Sequence, residues 1–149
     1  MSKITILVGT MTGTAELAAD DMADALGAEG FDIEVIAMDG LDSSVFSDGG
    51  VFLVCTSTYG QGDVPDNALG LYEHLEQIRP TLGNVHYGVF AMGDSTYDAT
   101  FCEGGKLFDK LLTELSATRV GDVEEHDASS GTMPEDEGAR WVVDWAKLL

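Results

Sequence analysis

Short apolar runs alternate along the chain with longer stretches in which apolar positions recur at spacings of three and four. Residues 4–8, 33–36, 51–55 and 89–92 are rich in β-branched or aromatic side chains and bounded by Gly, Asp or Thr, the pattern of strands buried on both faces. A weaker fifth candidate covers 118–120. Helical periodicity follows in the sets Ala15, Ala18, Ala19, Met22, Leu26; Ala68, Leu71, Tyr72, Leu75; Phe108, Leu111, Leu112, Leu115; and Val142, Trp145, Ala146, Leu149. The segment 38–50 carries Gly40, Ser43, Ser44, Gly49 and Gly50, which predicts at most a short helix there.

Strand and helix therefore alternate throughout, the signature of an α/β domain: a doubly wound, five-stranded parallel sheet with helices on both faces and right-handed crossovers. The expected strand order is 2-1-3-4-5, although alternation is equally compatible with other doubly wound orders. No repeat, linker or internal boundary interrupts the 149 residues, so a single domain spanning 1–149 is expected. Ligands in such sheets bind outside the carboxyl ends of the strands, which directs attention to the loops after the first, third and fourth.

Charge narrows the function classes. Against 27 Asp+Glu stand 7 Lys+Arg, a formal net charge of −20, so the surface field repels nucleic acid and anionic lipid. No Lys or Arg occurs between Ile4 and Ile78, a stretch with 14 acidic residues. Neither a membrane-spanning run nor a signal-peptide pattern is present, and a cytoplasmic protein is expected. Cys55 and Cys102 make no disulfide framework and no metal-ligand spacing; His74, His86 and His126 read as scattered surface histidines.

The first loop reads Gly9-Thr10-Met11-Thr12-Gly13-Thr14 and opens a helix with Glu16 in its first turn. Small residues, converging N–H groups and three hydroxyls make a nest for one phosphate dianion held by hydrogen bonds. The Gly-Lys-Ser/Thr ending of triphosphate loops and the G-x-G-x-x-G of dinucleotide folds are both absent. Ser57-Thr58-Tyr59-Gly60-Gln61-Gly62 follows the third strand, with Pro65 and Asp66 starting the next helix. Gly93-Asp94-Ser95-Thr96-Tyr97-Asp98-Ala99-Thr100-Phe101-Cys102 follows the fourth. Two tyrosines on neighbouring loops beside a phosphate nest outline a slot for a flat heterocycle with a phosphate tail.

On these three motifs the chain resembles the flavodoxin family over essentially its full length, and is most similar to the short MioC-type members and to the FMN modules of cytochrome and sulfite reductase flavoproteins. The resemblance implies an FMN cofactor and a flavodoxin-like sheet. Thr10, Met11, Thr12, Gly13 and Thr14 would hold the FMN phosphate, and Tyr59 and Tyr97 would sandwich the isoalloxazine. Ser57, Thr58, Gly60, Gly93, Asp94, Phe101 and Cys102 would contribute backbone or edge contacts, with the Gly60 peptide able to hydrogen-bond flavin N5 once that atom is protonated. The spacing from Tyr97 to Phe101 is one residue longer than in the reductase modules, and Ala15 stands where many members carry a hydroxyl.

The resemblance further implies an electron carrier without substrate turnover of its own. Its expected donor is a basic-surfaced flavin or iron–sulfur reductase and its expected acceptor a haem monooxygenase, another haem protein or a biosynthetic redox enzyme, with the protein a monomer. Asp63, Asp94, Asp98 and Asp127 would belong to an acidic docking rim, or to a solvating coat suited to a salt-rich cytoplasm. Two rivals share the fold class: an FMN-dependent NAD(P)H quinone or flavin reductase, which needs its own nicotinamide surface, and a phosphoacceptor domain, which needs acids where this chain has Gly9-Thr10 and Cys55-Thr56.

Overall fold

The computed structural model describes residues 3–10, 13–58, 64–94 and 101–149. The parallel sheet comprises β1 (Lys3–Gly9), β2 (Asp32–Ala37), β3 (Gly50–Thr56), β4 (Val85–Gly93), β5 (Thr118–Arg119) and β6 (Glu124–Asp127). Strand order is β2-β1-β3-β4-β5, with β6 also paired to β4. The helices are α1 (Thr14–Ala28), α2 (Asp66–Ile78), α3 (Glu103–Glu114) and α4 (Pro134–Ala146).

Alternation along each central strand feeds two apolar layers. Ile4, Ile6 and Val8 of β1, Leu53 and Cys55 of β3, and Phe90 and Met92 of β4 pack under α1 and α4. Leu7, Phe52, Val54, Tyr87, Val89 and Ala91 project from the opposite face onto α2 and α3. Each large apolar side chain contributes about 1.5–3 kcal/mol on burial, which explains why the periodic sets of α1 and α3 reappear as buried residues.

Three expectations need correction. The strand expected at 33–36 is not buried on both faces: β2 is an edge strand and Val35 is exposed, while the short helix expected after it is present as a 3₁₀ turn at Ser43–Phe46. Leu149 lies beyond the end of α4 and is exposed. The fifth strand is split, β5 pairing with His86 and Tyr87 and β6 with residues 90–93 of β4. The sequence of β6, Glu-Glu-His-Asp, carries no apolar signal, and its pairing is supplied by the open edge of β4.

Registers Gly9↔Thr56 and Thr56↔Ala91 bring the carboxyl ends of β1, β3 and β4 to one level. The helices that follow these strands start from the same edge. All four first turns carry acid and none of the last turns carries base: Glu16 in α1, Asp66 in α2, Glu103 in α3, and Glu135, Asp136 and Glu137 in α4. Acids there complement the positive helix ends and concentrate negative charge around the edge where the three loops emerge.

Candidate cofactor site

The first loop is fastened by its main chain. Thr10 donates its N–H to Asn67 Oδ1 at 2.7 Å, and its own hydroxyl oxygen accepts the Gly13 N–H at 2.9 Å. Gly13 then takes φ +87°, a left-handed conformation that strains residues with a side chain, and no described residue lies within 4 Å of where a Cβ would stand. No side chain caps α1, which starts at Thr14. This helix end offers main-chain donors and a positive dipole to an anion without a cationic side chain in the loop. The Gly13 amide itself donates to the Thr10 hydroxyl.

Ser57 N–H donates to Gly9 O at 3.0 Å and joins the second loop to the first. The Thr58 hydroxyl donates to Met92 O at 2.9 Å and accepts from Gly104 N at 3.1 Å, linking the end of β4 to the start of α3. Its side chain is therefore committed to the scaffold, which leaves its main chain for a ligand. The glycine at 104 is required by space: a Cβ would lie 2.4 Å from Ser57 O.

At the third loop, a Cβ on Gly93 would meet Cys102 N at 2.4 Å, so this glycine lets the returning chain lie directly on β4. Cys102 takes φ +57° and is fully buried, its Sγ near Ala91 O (3.4 Å) and His126 O (3.6 Å). Burial, reinforced by Glu125, pushes its thiol up to about 12 against the opposing Lys106 charge. Its sulfur is enclosed by protein carbonyls and the thiol stays protonated, so a contact from Cys102 to a ligand falls to its main chain. Asp94 and Phe101 are half-buried at the two ends of this loop. Met11, Thr12, Tyr59, Gly60 and Tyr97, with Asp63 and Asp98, lie outside the described residues.

His126 is no surface histidine. It is 2% exposed, its Nδ1 lies 2.9 Å from Glu137 Oε1, and its ring stacks on Phe90. Beside it, desolvation and a hydrogen bond to Glu137 raise the Glu124 carboxyl to about 6. Glu124 and Glu137, both half-buried, are thus drawn partly into the molecule. His74 is half-buried, with Nδ1 accepting Ser43 N–H at 3.0 Å, and only His86 is exposed as expected.

Asn67, Gly104 and Lys106 join the motif residues at this edge without belonging to the predicted set. Two adjacent glycines opening a helix are a legible signal, because each costs about 1 kcal/mol of helix propensity and implies close backbone approach. Asn67 carries no comparable mark, since its partner is 57 residues away.

Residues 6–141 match the family model for flavodoxin. Flavodoxin YqcA of Escherichia coli (strain K12) is 42% identical over 149 residues, covering 100% of this chain and 99% of that protein. The chain belongs to the flavodoxin family. The MioC protein of the same strain is 35% identical over 152 residues, with 100% and 99% covered. A solved structure of a cysteine-to-alanine mutant of flavodoxin from Pseudomonas aeruginosa superposes with a TM-score of 0.88 at 32% identity, covering 99% of this chain and 98% of that one.

A flavodoxin binds FMN, which when bound supplies one-electron chemistry, and transfers electrons with it. The residues present fit that group. Among the described residues no side chain caps the α1 end or crowds Gly13, which suits a phosphate held by neutral donors, and loops two and three leave β3 and β4 beside it at the same edge. No described helix is long and apolar enough to cross a membrane.

Proposed function

We propose that the 149 residues work as one FMN-binding unit that shuttles single electrons in the cytoplasm as a monomer, without turning over a substrate. The N-terminus of α1, with Thr10 to Thr14, receives the phosphate; Tyr59 and Tyr97 flank the ring; and main-chain groups of Ser57, Thr58, Gly60, Gly93 and Asp94, with Phe101, border its edge. Cys102 contributes through its main chain packed on Gly93. Donor and acceptor are basic-surfaced: a flavin or iron–sulfur reductase on one side, a haem protein or another redox enzyme on the other.

The observation that carries this reading is the convergence of three loop ends at the carboxyl edge of β1, β3 and β4 within a ring of helix-borne carboxylates. Carboxylates at a partly water-excluded edge disfavour added negative charge, so this chain's surroundings hold the second reduction potential low. They also steer encounter with a cationic surface. The decisive test is anaerobic mixing of the FMN-loaded protein with NADPH, alone and with a catalytic amount of a flavin reductase. Reduction only in the presence of the reductase supports the carrier; rapid reduction by NADPH alone would favour an FMN-dependent reductase.

A further inference from the structure

Lys106 stands where helix electrostatics disfavour a cation. It is the fourth residue of α3, and the first four residues of α1, α2 and α4 contain no Lys or Arg. Main-chain amide dipoles repel a positive charge at that end. What compensates is a set of contacts from three separate segments. Its Nζ donates to Phe101 O at 3.1 Å, lies 3.3 Å from Glu125 Oε2 of β6 and 3.7 Å from Glu103 Oε1 of α3, and stands 5.9 Å from the Phe101 ring centroid.

We propose that Lys106 is the positioning residue for the exit of the third loop, orienting the Phe101 peptide and thereby the ring side of the FMN site. The proposal rests on the FMN reading above for its functional part. Cys102 is already pinned by its close approach to Gly93 and its sulfur contacts, so the free variable at the loop exit is the peptide just before it. A charge-assisted bond from the ammonium to Phe101 O removes that freedom. Glu125 aims the ammonium from outside, because β6 is itself registered on β4 through Ala91↔Glu125. Each ion pair alone is partly exposed and weak; their convergence on one ammonium fixes the geometry. The phosphate end of the site is built from α1 and Asn67, with no contact to this cluster among the described residues.

The experiment compares Lys106→Met, which keeps the aliphatic stem, with Lys106→Arg, which keeps the charge. In the flavin-free protein, amide hydrogen exchange over residues 101–106 should quicken about three- to tenfold in Lys106→Met and stay near the parent rate in Lys106→Arg. FMN and riboflavin affinities should both fall by the same factor of about three to ten in Lys106→Met, leaving their ratio unchanged, with the visible circular dichroism of the bound flavin altered and Arg restoring it. Unchanged exchange and unchanged affinities in Lys106→Met would overturn the proposal, as would equal defects in the Met and Arg variants. If the parent protein binds neither flavin, the FMN reading falls, and the exchange measurement alone decides whether Lys106 holds the loop exit.

Discussion

Asn67, the second residue of α2, accepts the main-chain N–H of Thr10 through its side-chain oxygen at 2.7 Å. This one bond ties the start of the first loop, the proposed phosphate site, to the helix that follows the second loop, across 57 residues of sequence. Asn67→Ala leaves the Thr10 amide without that partner and should weaken FMN binding by about 1 kcal/mol, roughly fivefold, while riboflavin affinity changes less. Asn67→Asp keeps the acceptor but places a carboxylate beside the proposed phosphate site, and should discriminate against FMN more than the alanine does. Quenching of flavin fluorescence on titration measures both.

How much of this was legible beforehand follows from what each feature depends on. The periodic set from Ala15 to Leu26 reports burial locally, so α1 and its packed face could be read directly from spacing. Strand β6 could not: a run of Glu, Glu, His and Asp becomes a strand only because β4 extends past β5 and leaves main-chain groups to pair. The three loops were recognisable from their residue types, whereas the Asn67–Thr10 and Thr58–Gly104 bonds are long-range and depend on strand register. Cys102 illustrates a motif residue whose side-chain direction no pattern encodes: its sulfur turns inward, toward Ala91 O and His126 O.

Two glycine-to-alanine changes should move stability in opposite directions. Gly104→Ala drives a methyl to 2.4 Å from Ser57 O and should cost about 1–3 kcal/mol through forced separation of α3 from the second loop. Gly70→Ala, on an exposed face of α2 with open space around it, should stabilise by about 0.5–1 kcal/mol through helix propensity. Urea denaturation midpoints at constant slope would register both, and a neutral Gly104→Ala would contradict the close approach.

The Glu124 carboxyl is raised from 4.5 to about 6 by desolvation and by its hydrogen bond to Glu137. A raised acid binds its proton more tightly in the folded state than in the unfolded one. Its contribution is therefore complete below pH 4.5 and lost as pH rises through 6. After allowance for partial solvent screening this amounts to about 1 kcal/mol. Glu124→Gln, whose amide can donate to Glu137 as the protonated acid does, should flatten that part of the stability profile and leave the protein about 1 kcal/mol more stable than the parent at neutral pH. Denaturation at a series of pH values between about 4 and 7.5 tests it.

Exposed first-turn acids should govern encounter with a partner. The triple variant Glu16→Gln, Asp66→Asn, Asp136→Asn removes negative charge from three helix starts at the cofactor edge. Association with a basic reductase should slow severalfold at about 10 mM salt, and the difference should nearly vanish at about 0.5 M, where screening acts over only a few ångströms. Stopped-flow rates across that range give the comparison. A loss of rate independent of salt would assign these acids to contact rather than steering.

The proposed function turns on a phosphate-bearing flavin held at the α1 N-terminus, and its most direct measurement is parallel titration of the flavin-free protein with FMN and riboflavin, followed by visible absorption. Shifted flavin bands at one equivalent of FMN are expected, with riboflavin binding weaker by about 2–4 kcal/mol, roughly thirtyfold or more, since only FMN presents a dianion to the helix end. Equal affinity for the two flavins, or unshifted bands with FMN in excess, would contradict the assignment.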